Sequence, residues 1–226
     1  MPRDESYSQL LSLAVHEFRT PASVVGGYLR MLQRDTDAPL SERQRRMVDE
    51  AERSCQRLVA IVAELSDIAK LDAGTVGLAR QPLNLFALIT EVAGTVHESQ
   101  DRGIRLQVNG ASGPAPLEGD APRLKAAFAA IFRAILRERA SEGVVAVECR
   151  IDDRHPSRQS TVVTADAERV QAAYEAAAVP FDEKRGGLGL ALPLARRIIE
   201  GHGGRLWSPD VEGGRGIAVI SLPLSE

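Results

Sequence analysis

Residues 16–21, His-Glu-Phe-Arg-Thr-Pro, place an imidazole, a carboxylate, a guanidinium and a hydroxyl directly before a proline. A neutral imidazole nitrogen can attack phosphorus when a neighbour accepts or orients the proton on the other ring nitrogen. His16 is the candidate nucleophile and Glu17 the adjacent proton partner. Thr20 lies one helical turn beyond His16 and shares its face. Pro21 has no N–H, so the carbonyl of Glu17 loses its helical partner and the helix is expected to bend there. Taken alone, a His-Glu pair reads as a surface histidine beside a tolerated proline. The segment around it changes that reading.

Apolar residues Leu11, Val15, Phe18, Ala22, Val25, Leu29 and Leu32 alternate spacings of four and three, a heptad seam with His16 on its flank. Asp35 to Pro39 breaks the pattern and reads as a tight connection. Ser41 is a plausible helix start. A second seam follows through Met47, Ala51, Ser54, Leu58, Ile61, Leu65 and Ile68, ending near Gly74. Each helix of about 30 residues would be roughly 45 Å long. One antiparallel hairpin cannot bury both seams, whereas two copies forming a four-helix bundle can. A homodimer is therefore expected, with packing against the rest of the chain as the other possibility.

Past Gly74 helices and strands mix. Helices are expected at 83–98, 123–139, 168–178 and 188–201, and strands at 103–109, 144–150 and 160–165. Strands at "RLW" and "GIAVISLPL" close the chain. This order suggests an α/β sandwich of about 150 residues. The net charge of −3 and the 4% aromatic content argue against nucleic acid. No apolar run reaches the ~20 residues that span a bilayer. The N-terminal segment lacks the apolar core of a signal peptide. A cytoplasmic protein without membrane contact is expected. Cys55 and Cys149 form no CxxC, and no pair of histidines has metal-ligand spacing, so no metal site is expected. His202, in "EGHGG", reads as a histidine complementing a helix dipole, and His97 and His155 as surface residues.

HEFRTP resembles the phosphoacceptor box of two-component sensor histidine kinases. The likeness covers nearly the whole chain: "IAKLDAGTVGLARQPLNLFALITEV", "GIRLQV", "LEGDAPRL" and "GGLGLALPLARRIIEGHGGRLW" are similar to successive parts of that family. The resemblance implies an α+β chain. Residues 1–74 would be an antiparallel helical hairpin for dimerisation and phosphoacceptance, forming a dimeric four-helix bundle. Residues 75–226 would be an α/β sandwich of the histidine-kinase ATPase (Bergerat, GHKL) type. It also implies phosphoryl transfer between His16 and an aspartate on a response-regulator receiver domain. In that scheme Glu17 orients the imidazole proton and Thr20 positions water for dephosphorylation.

The nucleotide half departs from the family pattern. In "RLKAAFAAIFRAILR", Ala126, Ala130 and Ala134 replace a glutamine and two asparagines on one helix face. Alanine offers no oxygen to Mg²⁺. "ADAERV" keeps Asp166 but has Glu168 and Val170 where glycines belong, and only DEKRG separates Phe181 from Gly187. Asp166, Gly187 and Gly189 remain as a vestigial nucleotide site, the glycines retained because the turn needs them. The expectation is a histidine phosphotransferase or phosphatase with no cofactor. ATP with magnesium would be used only under the alternative, an active sensor kinase. A non-catalytic dimeric scaffold for response regulators is the alternative from another class.

Overall fold

The computed structural model describes residues 3–75, 77–98, 102–110, 113–139, 141–152, 158–212 and 214–225. His155, and Ala111 and Ser112 in the segment that follows Asn109, lie outside the described residues. The chain divides into two compact units, Met1–Val76 and Gly77–Glu226.

The first unit is two long helices, α1 (Arg3–Arg34) and α2 (Glu42–Asp72). Pro21 sits inside α1, which is helical on both sides of it. Between the helices, the Asp35 carboxylate accepts from the N–H groups of Asp37 and Ala38 and closes the turn. Ser41 then starts α2 with a capping box. Its Oγ accepts from Gln44 N at 3.4 Å, and the Gln44 side chain accepts from Ser41 N at 3.0 Å. The helices are antiparallel: Gln33 donates to Asp49 and Glu52, both at 2.8 Å, and Cys55 Sγ donates to Ala22 O at 3.1 Å. They approach closely at Gly26, where a Cβ would lie 3.3 Å from Cys55 Sγ.

The hairpin buries only part of each seam. Val15, Cys55 and Val62 are buried, while Phe18, Val25, Leu32, Met47 and Leu58 are exposed, Phe18 at 61% and Leu58 at 58%. The inward face of α1 follows Val15, Ala22, Gly26, Leu29 and Gln33, so the expected seam is split between this face and an open one beside it.

The second unit is built on a six-stranded sheet in the order β2-β4-β5-β8-β7-β6. Its strands are β2 (Ile104–Asn109), β4 (Gly143–Asp152), β5 (Gln159–Asp166), β6 (Ala178–Pro180), β7 (Arg205–Pro209) and β8 (Ala218–Pro223). β2 and β4 are parallel, and the other neighbours are antiparallel. Residues alternate faces along each strand. Ala146, Val163, Ala165 and Val219 pack with the short helix α5 (Val170–Glu175). Val145, Val147, Val162 and Ile220, on the opposite face, are also buried. There they meet the apolar sides of α3 (Leu85–Thr95), α4 (Ala121–Glu138) and α6 (Ala191–Gly201). Phe128 and Phe132 of α4 lie at the centre, ring centroids 5.9 Å apart.

Three expectations are corrected. The helix from 83 begins at Leu85, because Asn84 caps it and Leu83 joins an antiparallel pair, β1 (Gln81–Asn84) with β3 (Pro116–Gly119). The helix from 168 is a 3₁₀ turn, then α5, then β6. The helix from 188 begins at Ala191, because Gly186, Gly187 and Gly189 all take positive φ.

His202 sits at the end of α6 as expected, but it is 3% exposed and also joins that end to the start of α4. Its Nδ1 donates to Ile198 O at 2.6 Å, and its Nε2 accepts from Asp120 N at 2.9 Å. The Asp120 carboxylate caps α4 through Arg123 N, accepts from Ala79 N at 3.1 Å and faces Arg123. Arg80 donates to Gly201 O. Burial lowers the His202 pKa below 6.5, and the nearby Arg80 and Arg123 act in the same direction, against the Ile198 hydrogen bond and Asp120. The unfolded chain therefore takes up this proton first as pH falls, and stability present above pH 6.5 declines below it, toward the lowered folded value. The urea midpoint of the wild type should fall between neutral pH and pH about 5.5. His202→Gln should start lower and show a flatter pH dependence. Equal slopes would remove His202 from this role.

Candidate functional site

His16 and Glu17 lie midway along α1, on an open part of its surface. The His16 side chain is 76% exposed and that of Glu17 72%. His16 Nδ1 faces Glu17 Oε1 at 3.4 Å. With the Nδ1 proton directed at the carboxylate, Nε2 keeps its lone pair and is the nitrogen available to an incoming electrophile. Thr20 is likewise exposed, one turn along. The three residues are brought together by one helix, so their arrangement follows from sequence spacing alone. The contact is long for a hydrogen bond, as catalytic contacts often are before a partner docks.

The residues matched to a nucleotide site are placed differently from the expectation. The alanine face of α4 is graded: Ala126 is exposed, Ala130 is buried, and Ala134 is fully buried. Ala134 is covered by the 3₁₀ turn Arg185–Gly187, where a Cβ on Gly186 would lie 2.9 Å from Ala134 Cα. Asp166, at the end of β5, is not open to a ligand base, because its carboxylate is ion-paired with Arg139. Val170, in a glycine position of the family pattern, is buried in the α5 cluster on the sheet's other face. Gly187 and Gly189 are exposed just before α6.

The residues that sequence reasoning missed are Arg185 and the end of α4. Arg185 is charged, and its side chain is only 1% exposed. Its guanidinium stacks on Phe181 at 4.3 Å and donates to Asp182 O, Ser208 Oγ and Ile217 O, with Glu138 at 3.9 Å. Arg137 donates to Gly186 O at 3.2 Å and pairs with Glu98. The shortened DEKRG segment was the only signal in the sequence, and it gave no direction for the arginine.

These residues do not fit Mg·ATP. The α4 face has no oxygen for a metal, its inner end is covered, and the adenine-box carboxylate is engaged. The described residues contain no group of three or more histidine, cysteine or acidic side chains placed to hold a metal. Nor does any described helix have the length and apolarity to cross a membrane. Cys55 and Cys149 are free and buried, and burial, with the Glu148 charge beside it, pushes the Cys149 thiol up to about 12.

Restoring asparagine at position 134 should therefore damage the fold rather than rebuild a site. Ala134→Asn inserts a polar group against Gly186 and should cost roughly 2–4 kcal/mol in urea denaturation. Ala126→Gln, at the open end, should change stability by less than about 0.5 kcal/mol. Equal tolerance at both positions would contradict the packing described.

Comparison with known proteins bears on the hairpin and on the fold of the second unit. Residues 6–74 match the His Kinase A (phospho-acceptor) domain. The chain is 28% identical over 231 residues to the sensor histidine kinase GacS of Pseudomonas protegens, covering 96% of this chain and 24% of that protein. It is 28% identical over 215 residues to the signal transduction histidine-protein kinase BarA of Escherichia coli K12, covering 87% of this chain and 22% of that protein. The chain thus spans about a quarter of the length of these relatives. Among solved structures, full-length ShkA in complex with AMPPNP aligns with a TM-score of 0.72 at 21% identity, over 96% of this chain and 46% of that one. The histidine kinase ThkA in complex with the response regulator TrrA aligns at 0.59 and 21% identity, over 99% of this chain and 64% of that one. At that identity the structures establish the fold, a helical hairpin followed by the α/β sheet domain of histidine kinases. Residues 6–74 thus match a phospho-acceptor domain, and the chain as a whole is similar in sequence to sensor histidine kinases and in fold to solved histidine kinases.

Proposed function

We propose that this chain passes phosphoryl groups through His16 to and from the aspartate of a response-regulator receiver domain, without using ATP. The observation that carries the reading is the contrast between its two units. His16 is open, with Glu17 on Nδ1, while Ala134 is packed under Gly186 and Asp166 is ion-paired with Arg139. A partner's acyl phosphate approaches Nε2. The P–N bond forms as the P–O bond to the aspartate breaks, and the carboxylate leaves with its electron pair. Glu17 holds the Nδ1 proton and stabilises the developing positive charge on the ring. The reverse step regenerates the acyl phosphate. Thr20 is close enough to hold a water against the same phosphorus but has no role as nucleophile. A cytoplasmic setting forms part of this proposal.

A homodimer forms part of this reading. Phe18, Val25 and Leu32 of α1 and Met47 and Leu58 of α2 are exposed at heptad spacing, and such a stripe on one chain calls for a partner. Static light scattering of the full chain should report a dimer, and Leu58→Glu should shift it to monomer. A monomeric wild type would contradict the four-helix bundle.

The second reading is an ATP-dependent sensor kinase. It is favoured by the names of the sequence relatives and by the exposed Gly187 and Gly189 ahead of α6. Incubation with γ-labelled ATP and Mg²⁺, and separately with a phosphorylated receiver domain, separates the two. Label should reach His16 from the receiver and not from ATP. His16→Ala should abolish transfer, and Glu17→Ala should slow it in both directions by about 10–100-fold. Thr20→Ala should leave transfer near wild type while slowing phosphate loss to water. Transfer surviving in His16→Ala would place the acceptor elsewhere.

A further inference from the structure

We propose that the guanidinium of Arg185 occupies the cradle that a nucleotide would fill, so that the second unit carries its own permanent ligand. This rests on the reading that the alanine face, Asp166 and the glycines before α6 mark a former nucleotide site, and it names what has taken the ligand's place.

Three consecutive residues at the end of α4 support it. Arg137 holds the carbonyl of Gly186, Glu138 faces the Arg185 guanidinium at 3.9 Å, and Arg139 takes the Asp166 carboxylate. The last turn of α4 thus engages both the turn before α6 and the end of β5. Between them Arg185 reaches in from the 3₁₀ turn. Its planar head has the interactions expected of a bound planar ligand: an aromatic face on one side (Phe181), a hydroxyl (Ser208), and backbone carbonyls (Asp182 and Ile217) at its edges. Five N–H donors in a fixed fork suit that arrangement, which a lysine could not reproduce.

The turn that delivers Arg185 is matched to its seat. Gly186 at φ 66° brings the backbone onto Ala134, where a side chain on Gly186 would collide. The asparagine expected at position 134 would meet the same backbone. A larger polar side chain at position 134 and the turn that delivers Arg185 therefore compete for the same space. Reversing the alanines alone leaves the cradle filled.

Arg185 also lines an open groove of about 530 Å³, together with Val179, Pro180, Asp182, Ser208 and Asp210. A small cation could enter by that route once the side chain is removed, which makes the proposal testable by chemical rescue on the full chain. Arg185→Ala should melt several degrees below wild type. Millimolar methylguanidine should recover much of the loss, while tetramethylammonium, a cation with no N–H donors, should recover none. Methylguanidine should not raise the wild-type melting temperature. Should Arg185→Ala not fold, Arg185→Met, which keeps an apolar stem against Phe181, carries the same comparison. A variant as stable as wild type, or one that tetramethylammonium stabilises equally, would overturn the proposal. Mg·ADP titrated into the wild type by calorimetry separates the two readings. Micromolar binding overturns this proposal and the ATP-independent reading together. No binding, combined with no rescue, overturns this proposal alone.

Discussion

A hydrogen atom at position 186 against a methyl group at position 134 is the contact on which the second unit's arrangement turns. Gly186 packs its backbone against α4 at a distance no other residue allows. That approach sets where the preceding residue points, and the preceding residue is an arginine with a buried side chain. Burying a guanidinium is costly unless its donors are met. Here carbonyls, a hydroxyl, a carboxylate and an aromatic face meet them. The same contact closes the inner end of the α4 face.

The hairpin obeys the opposite constraint. Its two helices approach closely enough at Gly26 for Cys55 to donate to a backbone carbonyl of the facing helix, yet they leave a broad apolar stripe uncovered. A stripe of Phe18, Val25, Leu32, Met47 and Leu58 is expensive to leave in water. His16 lies off that stripe, on the polar side of α1, and so remains accessible while the apolar side is available for association. Pro21 leaves the Glu17 carbonyl without its helical donor one residue beyond the histidine, and α1 continues on both sides of it.

His16 and His202 differ in burial. His16 is open, beside a carboxylate. His202 is enclosed, with both ring nitrogens committed, and ties the cap of α4 to the end of α6 and, through Asp120, to the segment at Ala79. Both are polar residues on or just past a helix, and composition does not distinguish them.

Local features were legible in the sequence because their causes are local. Heptad spacing, the Ser41 cap, the Asp35 turn and the HEFRTP hexapeptide each depend on residues within a turn or two of one another, so the two long helices and the grouping of His16, Glu17 and Thr20 could be read directly. The alanine substitutions showed equally plainly that a polar face was missing. The tertiary structure alone decided which seam residues turn inward, because that depends on how two helices pack across a groove. It alone decided that Leu83 enters a strand, since its pairing partner Leu117 is remote in the chain. It alone set Arg185 between Phe181, Ser208, Ile217 and Glu138. Those partners come from separate elements, and no periodicity in a single segment encodes where they converge.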